Sequence, residues 1–168
     1  MKFTNSEPTD LDEIFRLYDA VIAFQKTVFH RSWLPFERGL IEKEIAEKRN
    51  WKIILDDGKI LCVFSLAFED ALIWGEIAEP SIFLHRVAVD PENRGLKLFP
   101  VIVKWLKNYG RANGKEFIRM DTWSDNQKLK DYYVGCGFDF IGIVAPSKTE
   151  EMPKHYEGIT LGLFEMKI

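Results

Sequence analysis

The sequence predicts a single-domain α/β (α+β) fold, with a mixed central sheet of about six to seven strands flanked by about four helices. Three observations carry this. Ser81 to Trp123 reads as strand, turn, helix, strand, the pattern of a parallel pair joined by a crossover. Asp57-Gly58 lies between two β-rich runs and marks an antiparallel hairpin. Two more β-rich runs follow the last helix, so alternating elements are bracketed by hairpins. With 168 residues and neither linker nor internal repeat, one domain covering residues 1–168 is expected.

The elements follow in order. Met1 to Thr4 forms a short first strand, interrupted by Asn5, Ser6 and Pro8. Thr9 or Asp10 caps a helix with the apolar stripe Leu11, Ile14, Phe15, Tyr18, Val21 and Ile22, and Asp12 and Glu13 suit the positive end of its dipole. After the loop HRSWLP a second helix runs from about Phe36 to Arg49, with Leu40, Ile41 and Ile45 inward and its Glu and Lys positions solvated. The hairpin pairs Trp51–Leu55 with Ile60–Phe68. Glu69 to Pro80 is less regular, and Ala71 to Trp74 reads as a strand extension.

The organising stretch is Ser81 to Asn113. SIFLHRVAV reads as a buried strand and DPENRG as a turn. A helix follows, with the stripe Leu98, Val101, Ile102, Trp105, Leu106 and Tyr109, ended by Asn113 and Gly114. A strand passing through a glycine-bearing turn into a helix aims backbone N–H groups and the positive helix end at one spot, which suits a phosphate. Glu116 to Trp123 is a strand parallel to the one at Ser81, and ligands of such sheets sit at the carboxyl ends of neighbouring strands. Ser124 or Asp125 caps a helix with the stripe Leu129, Tyr132, Tyr133 and Cys136. Phe138–Val144 and Gly158–Ile168 are the last strands, joined by a polar loop containing Pro146, Pro153, His155 and Tyr156.

The runs LHRVAVDPENRG, DTWSDNQKLKDYY and GCGF resemble successive blocks of the GNAT superfamily, the acetyl-CoA-dependent GCN5-related N-acetyltransferases. The resemblance is strong from Ser81 to Phe138. It implies an acetyl-CoA-dependent N-acetyltransferase that moves an acetyl group to a primary amine of a small molecule or peptide by direct attack in a ternary complex. The implied coenzyme A contacts are the strand residues Val87 and Val89, the turn residues Arg94, Gly95, Leu96, Lys97, Leu98 and Phe99, and Asn126. Val87 or a neighbour is the implied oxyanion donor, and the pantetheine arm is implied to lie between two splayed parallel strands.

The pattern departs from the family at Lys97 and Phe99, which stand where small residues are usual. A Phe narrows a phosphate cradle unless its ring turns into the core, and Pro100 removes one donor. Lys97 offers a charge-assisted phosphate contact in return. The departure keeps a second reading open: an acyl-CoA-binding sensor or interaction module with weak catalysis.

Tyr133 falls seven residues after Asn126 and four before Gly137, the place of the family's general-acid tyrosine. A core aromatic is the alternative. His85 matches the place of a histidine base in some relatives, and an imidazole with an ordinary pKa near 6.5 takes an ammonium proton at neutral pH. A structural role is its alternative, and Glu69, Glu76 and Glu79 are rival bases. Asn126 is either a helix cap or a coenzyme A contact. Trp33 and Phe36 either line an acceptor pocket or plug the core edge.

Composition narrows the partners. The net charge of -3 argues against general nucleic-acid binding. The absence of an apolar leader or a long apolar run points to a soluble, cytoplasmic protein with no membrane partner. Cys62 and Cys136 fit no C-x-x-C pattern and read as reduced buried thiols. His30, His85 and His155 are scattered without ligand spacing, so no metal is expected. A homodimer is an open option, since many relatives pair.

Overall fold

The computed structural model describes residues 1–147 and 149–168. Among the described residues seven strands form one mixed sheet: β1 (Lys2–Asn5), β2 (Asn50–Ile54), β3 (Ile60–Ala67), β4 (Ser81–Val89), β5 (Phe117–Trp123), β6 (Asp139–Val144) and β7 (Leu161–Lys167), in the order β1-β2-β3-β4-β5-β7-β6. Among the described residues the α-helices are α1 (Leu11–Val28), α2 (Arg38–Ala46), α3 (Ala71–Trp74), α4 (Leu98–Ala112) and α5 (Gln127–Gly135). No helix of the described residues is long and apolar enough to cross a membrane.

The chain divides into two compact units, Met1–Leu66 with Arg86–Phe99 and Ala67–His85 with Pro100–Ile168. The boundary cuts β4 at the His85–Arg86 peptide.

In the first unit, β1 and β2 pair antiparallel from Lys2↔Ile54 to Asn5↔Trp51, and β2 pairs with β3 from Asn50↔Ser65 onward. The hairpin turn closes with Gly58 at φ 88°, a left-handed conformation that glycine adopts without a Cβ clash. The spacing of Ile14, Leu17 and Tyr18 on α1 and of Ile41 and Ile45 on α2 places them on inward faces, where they form one core with Val63. Each such burial is worth about 1.5–3 kcal/mol. Phe15 and Val21 of the expected stripe are only partly buried, while Leu17 is fully so.

In the second unit, β4 runs parallel to β5 with Ser81↔Phe117, Ile82↔Ile118 and Phe83↔Arg119 in register. The full length of β5 pairs antiparallel with β7, from Phe117↔Lys167 to Trp123↔Leu161, and β6 pairs with the other edge of β7. Arg119 is buried. It donates to Glu165 Oε2 (2.6 Å) and Ser81 Oγ (2.5 Å), so its charge ties three strands rather than facing a ligand.

Local corrections have local causes. Ala71–Trp74 is a helical turn, not a strand extension, because four apolar residues carry no decisive period. On α4 the buried arc is Leu98, Phe99, Ile102, Val103 and Leu106; it is rotated from the expected stripe, which leaves Val101 exposed. Glu44 of α2 is 2% exposed, although its position reads as solvated. Gly114 takes φ 65° and the Lys115 N–H bonds the Gly110 carbonyl at 2.9 Å, the left-handed cap expected there.

Candidate active site

The turn after β4 begins at Asp90, whose Oδ1 accepts the Glu92 N–H (3.0 Å) and whose Oδ2 accepts from Arg16 Nη2 (3.0 Å). Burial pushes the Asp90 carboxyl up, and these donors outweigh it and hold the group below its ordinary value. Residues Pro91–Leu96 form a 3-10 turn, Lys97 takes the left-handed conformation at φ 47°, and α4 starts at Leu98. Gly95, Leu96 and Lys97 are exposed, and a Cβ on Gly95 meets nothing within 4 Å. Phe99, by contrast, is 8% exposed, so its ring is buried. The Arg94 guanidinium lies 3.3 Å from the centre of the Phe24 ring, so its side chain is spent on α1. The exposed turn with a helix start behind it fits a diphosphate held by main-chain donors and the Lys97 charge.

On β4, His85, Arg86, Val87 and Val89 are half-buried. Arg86 has φ 50°, a left-handed conformation inside a strand on a residue with a Cβ. Its guanidinium meets Glu44 Oε1 and lies 5.6 Å from the Phe36 ring centre. Glu44 Oε2 accepts from Ser65 Oγ at 2.6 Å.

In the second unit, His85 Nε2 lies 3.4 Å from Asp70 Oδ2 and Nδ1 lies 3.9 Å from Asp121 Oδ1. Asp70 precedes α3 and Asp121 is on β5, so the three meet only through the fold. Their donor atoms lie within 4.8 Å of one another, a grouping of metal-ligand type that the scattered histidines do not suggest. Asp70 and Asp121, rather than Glu69, Glu76 or Glu79, are the carboxylates recorded beside His85. Those three glutamates line a cleft of about 230 Å³ together with Asp70, Phe68 and Phe83.

Tyr133 sits on α5 with its ring edge-on to Phe164 at 5.4 Å and tilted to Tyr132 at 5.6 Å. Desolvation pushes its phenol well above the ordinary value, and Tyr132, Asp121 and Cys136 raise it further. The helix is capped by Asn126, not by Ser124 or Asp125: the Asn126 Oδ1 accepts the Leu129 N–H at 3.1 Å. The Asn126 side-chain carbonyl is thus engaged in capping. Tyr132 is 44% exposed, so the expected α5 stripe is only partly inward.

Trp33 and Phe36 pack with Tyr18 (ring centres 6.4 and 4.9 Å), and the Trp33 N–H donates to Gln25 Oε1 at 2.7 Å. That is core-edge packing. Cys62 is fully buried and its thiol is pushed far up by desolvation, which makes it unreactive.

The family model described as acetyltransferase (GNAT) family matches residues 14–138. The chain belongs to the GNAT family. Within it, the chain is 32% identical over 74 residues to an uncharacterized N-acetyltransferase, YesJ, of Bacillus subtilis; the match covers 44% of this chain and 41% of that relative's length. A GNAT-family acetyltransferase from Listeria monocytogenes superposes with a TM-score of 0.80 at 21% identity, covering 99% of this chain and 94% of its own. The ribosomal-protein-S18-alanine N-acetyltransferase of Escherichia coli superposes with a TM-score of 0.68 at 15% identity, covering 99% and 93%. At these identities the structural likeness shows the GNAT fold.

Proposed function

We propose that this GNAT-family chain is an acetyl-CoA-dependent N-acetyltransferase that acetylates a primary amine by direct attack in a ternary complex. The observation that carries the reading is His85 set between Asp70 and Asp121 in the unit that also holds Tyr133. Two carboxylates beside one imidazole stabilise the imidazolium formed when the ring takes a proton. His85 then removes the ammonium proton, directly or through water, which leaves a neutral nucleophile. The amine nitrogen attacks the thioester carbonyl carbon, a C–N bond forms and the C–S bond breaks. The departing thiolate takes its proton from Tyr133, and the proton that the acetylated nitrogen then loses restores the phenol. A phenol whose ionisation is suppressed stays protonated through the neutral range, as a donor must.

The backbone of Val87 is assigned to the developing oxyanion, and the main chain from Arg94 to Phe99, with Lys97, to the pyrophosphate. Val89 and Asn126 are assigned to the pantetheine side. The buried Phe99 ring supports this reading over the non-catalytic sensor, whose rationale was a blocked cradle. The Escherichia coli relative is named for an alanine of ribosomal protein S18, which supports an amine as the acceptor class.

The test has two stages. Acetyl-CoA should raise the unfolding temperature, since a ligand of the native state stabilises it. Thiol release should then appear across a panel of primary amines. A thermal shift without thiol release from any amine would favour the sensor.

A further inference from the structure

We propose that Glu44 is a positioning residue of the transfer site. Its buried carboxylate clamps Arg86 and so holds the left-handed backbone that separates His85 from Val87. The inference rests on the roles assigned above to those two residues.

A regular strand alternates its side chains, so His85 and Val87 would share one face with Arg86 on the other. A residue with a Cβ avoids positive φ, and inside a strand such a conformation persists only where the surroundings over-determine it. Arg86 holds φ 50° between the proposed base and the proposed oxyanion donor. What over-determines it is visible. Glu44 Oε1 meets the Arg86 guanidinium and lies 3.7 Å from Arg49 Nη1. Its other oxygen accepts from Ser65 Oγ, and Ser65 Oγ in turn lies 3.3 Å from its donor, Asn50 Nδ2. Glu44, Ser65 and Asn50 are all buried, so the carboxylate is fixed from α2, β2 and β3 at once. The Phe36 ring faces the guanidinium as well.

Such a buried ion pair is a poor way to gain stability, because an apolar pair of similar volume commonly does as well. It is a good way to fix one backbone geometry. The clamp acts where local irregularity in a strand re-aims neighbouring side chains, here the imidazole on one side and a main-chain donor on the other.

The test removes both charges together, so that no unpaired charge is left in the interior. The double variants Glu44→Gln/Arg86→Gly and Glu44→Gln/Arg86→Ala differ by one methyl group. Glycine accepts φ 50° without a clamp and alanine does not. The alanine double variant should lose about tenfold or more in kcat, with the KM for acetyl-CoA within about twofold of wild type, because misplacement by a fraction of an ångström acts on the reacting step. The glycine double variant should recover most of that loss.

A second readout needs no turnover. The chain has 3 histidines, so the imidazole ¹H–¹⁵N signals of His85 can be assigned. They should move in the alanine variant and stay near wild type in the glycine variant. Absence of thiol release in the wild type would defeat the enzyme reading alone, and the imidazole signals would still decide the clamp. Indistinguishable His85 signals in the two variants and the wild type overturn the proposal, as does equal kcat in an active protein.

Discussion

Two consecutive residues of β4 are both half-buried and both face carboxylates, yet their surroundings differ. Around Arg86 the charges are closed off: Glu44 is buried and each of its oxygens is engaged, one of them by both Arg86 and Arg49. Around His85 two carboxylates stand near one imidazole, at 3.4 and 3.9 Å. Removing either partner of such a pair strands a charge, so the pair holds one geometry. On the proposed function, the ring between two anions is the one that gains and loses a proton. On that reading, adjacent positions on one strand divide the work between architecture and chemistry.

The sharpest way to break that comparison is to truncate each side and ask which property suffers. Glu44→Ala should lower unfolding free energy by about 3–5 kcal/mol, because it strands the Arg86 charge, whose side chain is only 12% exposed. Urea denaturation measures it. A loss below 1 kcal/mol would put Glu44 outside the architectural class. Tyr133→Phe and His85→Gln should leave stability within about 1 kcal/mol yet reduce turnover by about a hundredfold or more. For Tyr133→Phe the affinity for acetyl-CoA should be nearly intact; equal turnover would clear Tyr133 of the acid role. Asp70→Asn keeps the size of the group but removes one anion beside His85, and about a tenfold fall in kcat/KM is expected, read from the pH–rate profile.

Lys97 offers a control for Arg86, being the other left-handed residue near the site but exposed. Lys97→Gly should stabilise the protein by roughly 1 kcal/mol through relief of that conformation. It should also weaken acetyl-CoA binding through loss of the charge, which calorimetry resolves.

The smallest effect concerns Asp90. Its folded pKa lies below the unfolded value of about 3.9, so its contribution is fully present above that value and fades as pH falls through the lower folded pKa. Asp90→Asn should flatten the acid limb of the stability profile in that window and leave the limb above pH 5 parallel to wild type.

What the sequence disclosed was what short-range chemistry encodes. The D-G turn, the strand-turn-helix after Ser81 and the cap at Gly114 are each written in a few contiguous residues, and each is present. The meeting of Asp70 and Asp121 with His85 was hidden, because long-range placement leaves no periodic trace. Glu44 was read as solvated because its helix face alternates with Lys and Glu; only Arg86 and Ser65, distant in sequence, explain its burial. The cap at Asn126 was legible as a residue type but not as a position, since Ser124 and Asp125 offer the same oxygen one or two places earlier. Phe99 was ambiguous for another reason: whether a bulky ring blocks a turn or leaves it depends on helix phase, and α4 proved rotated.

The place of β7 has a consequence for biosynthesis. This strand is the last of the seven in sequence but lies between β5 and β6, pairing with both. Until β7 is made, β5 and β6 each lack the partner that it supplies, and unpaired strand edges favour association with other chains. The second unit can lock together only when residues 161–167 leave the exit tunnel.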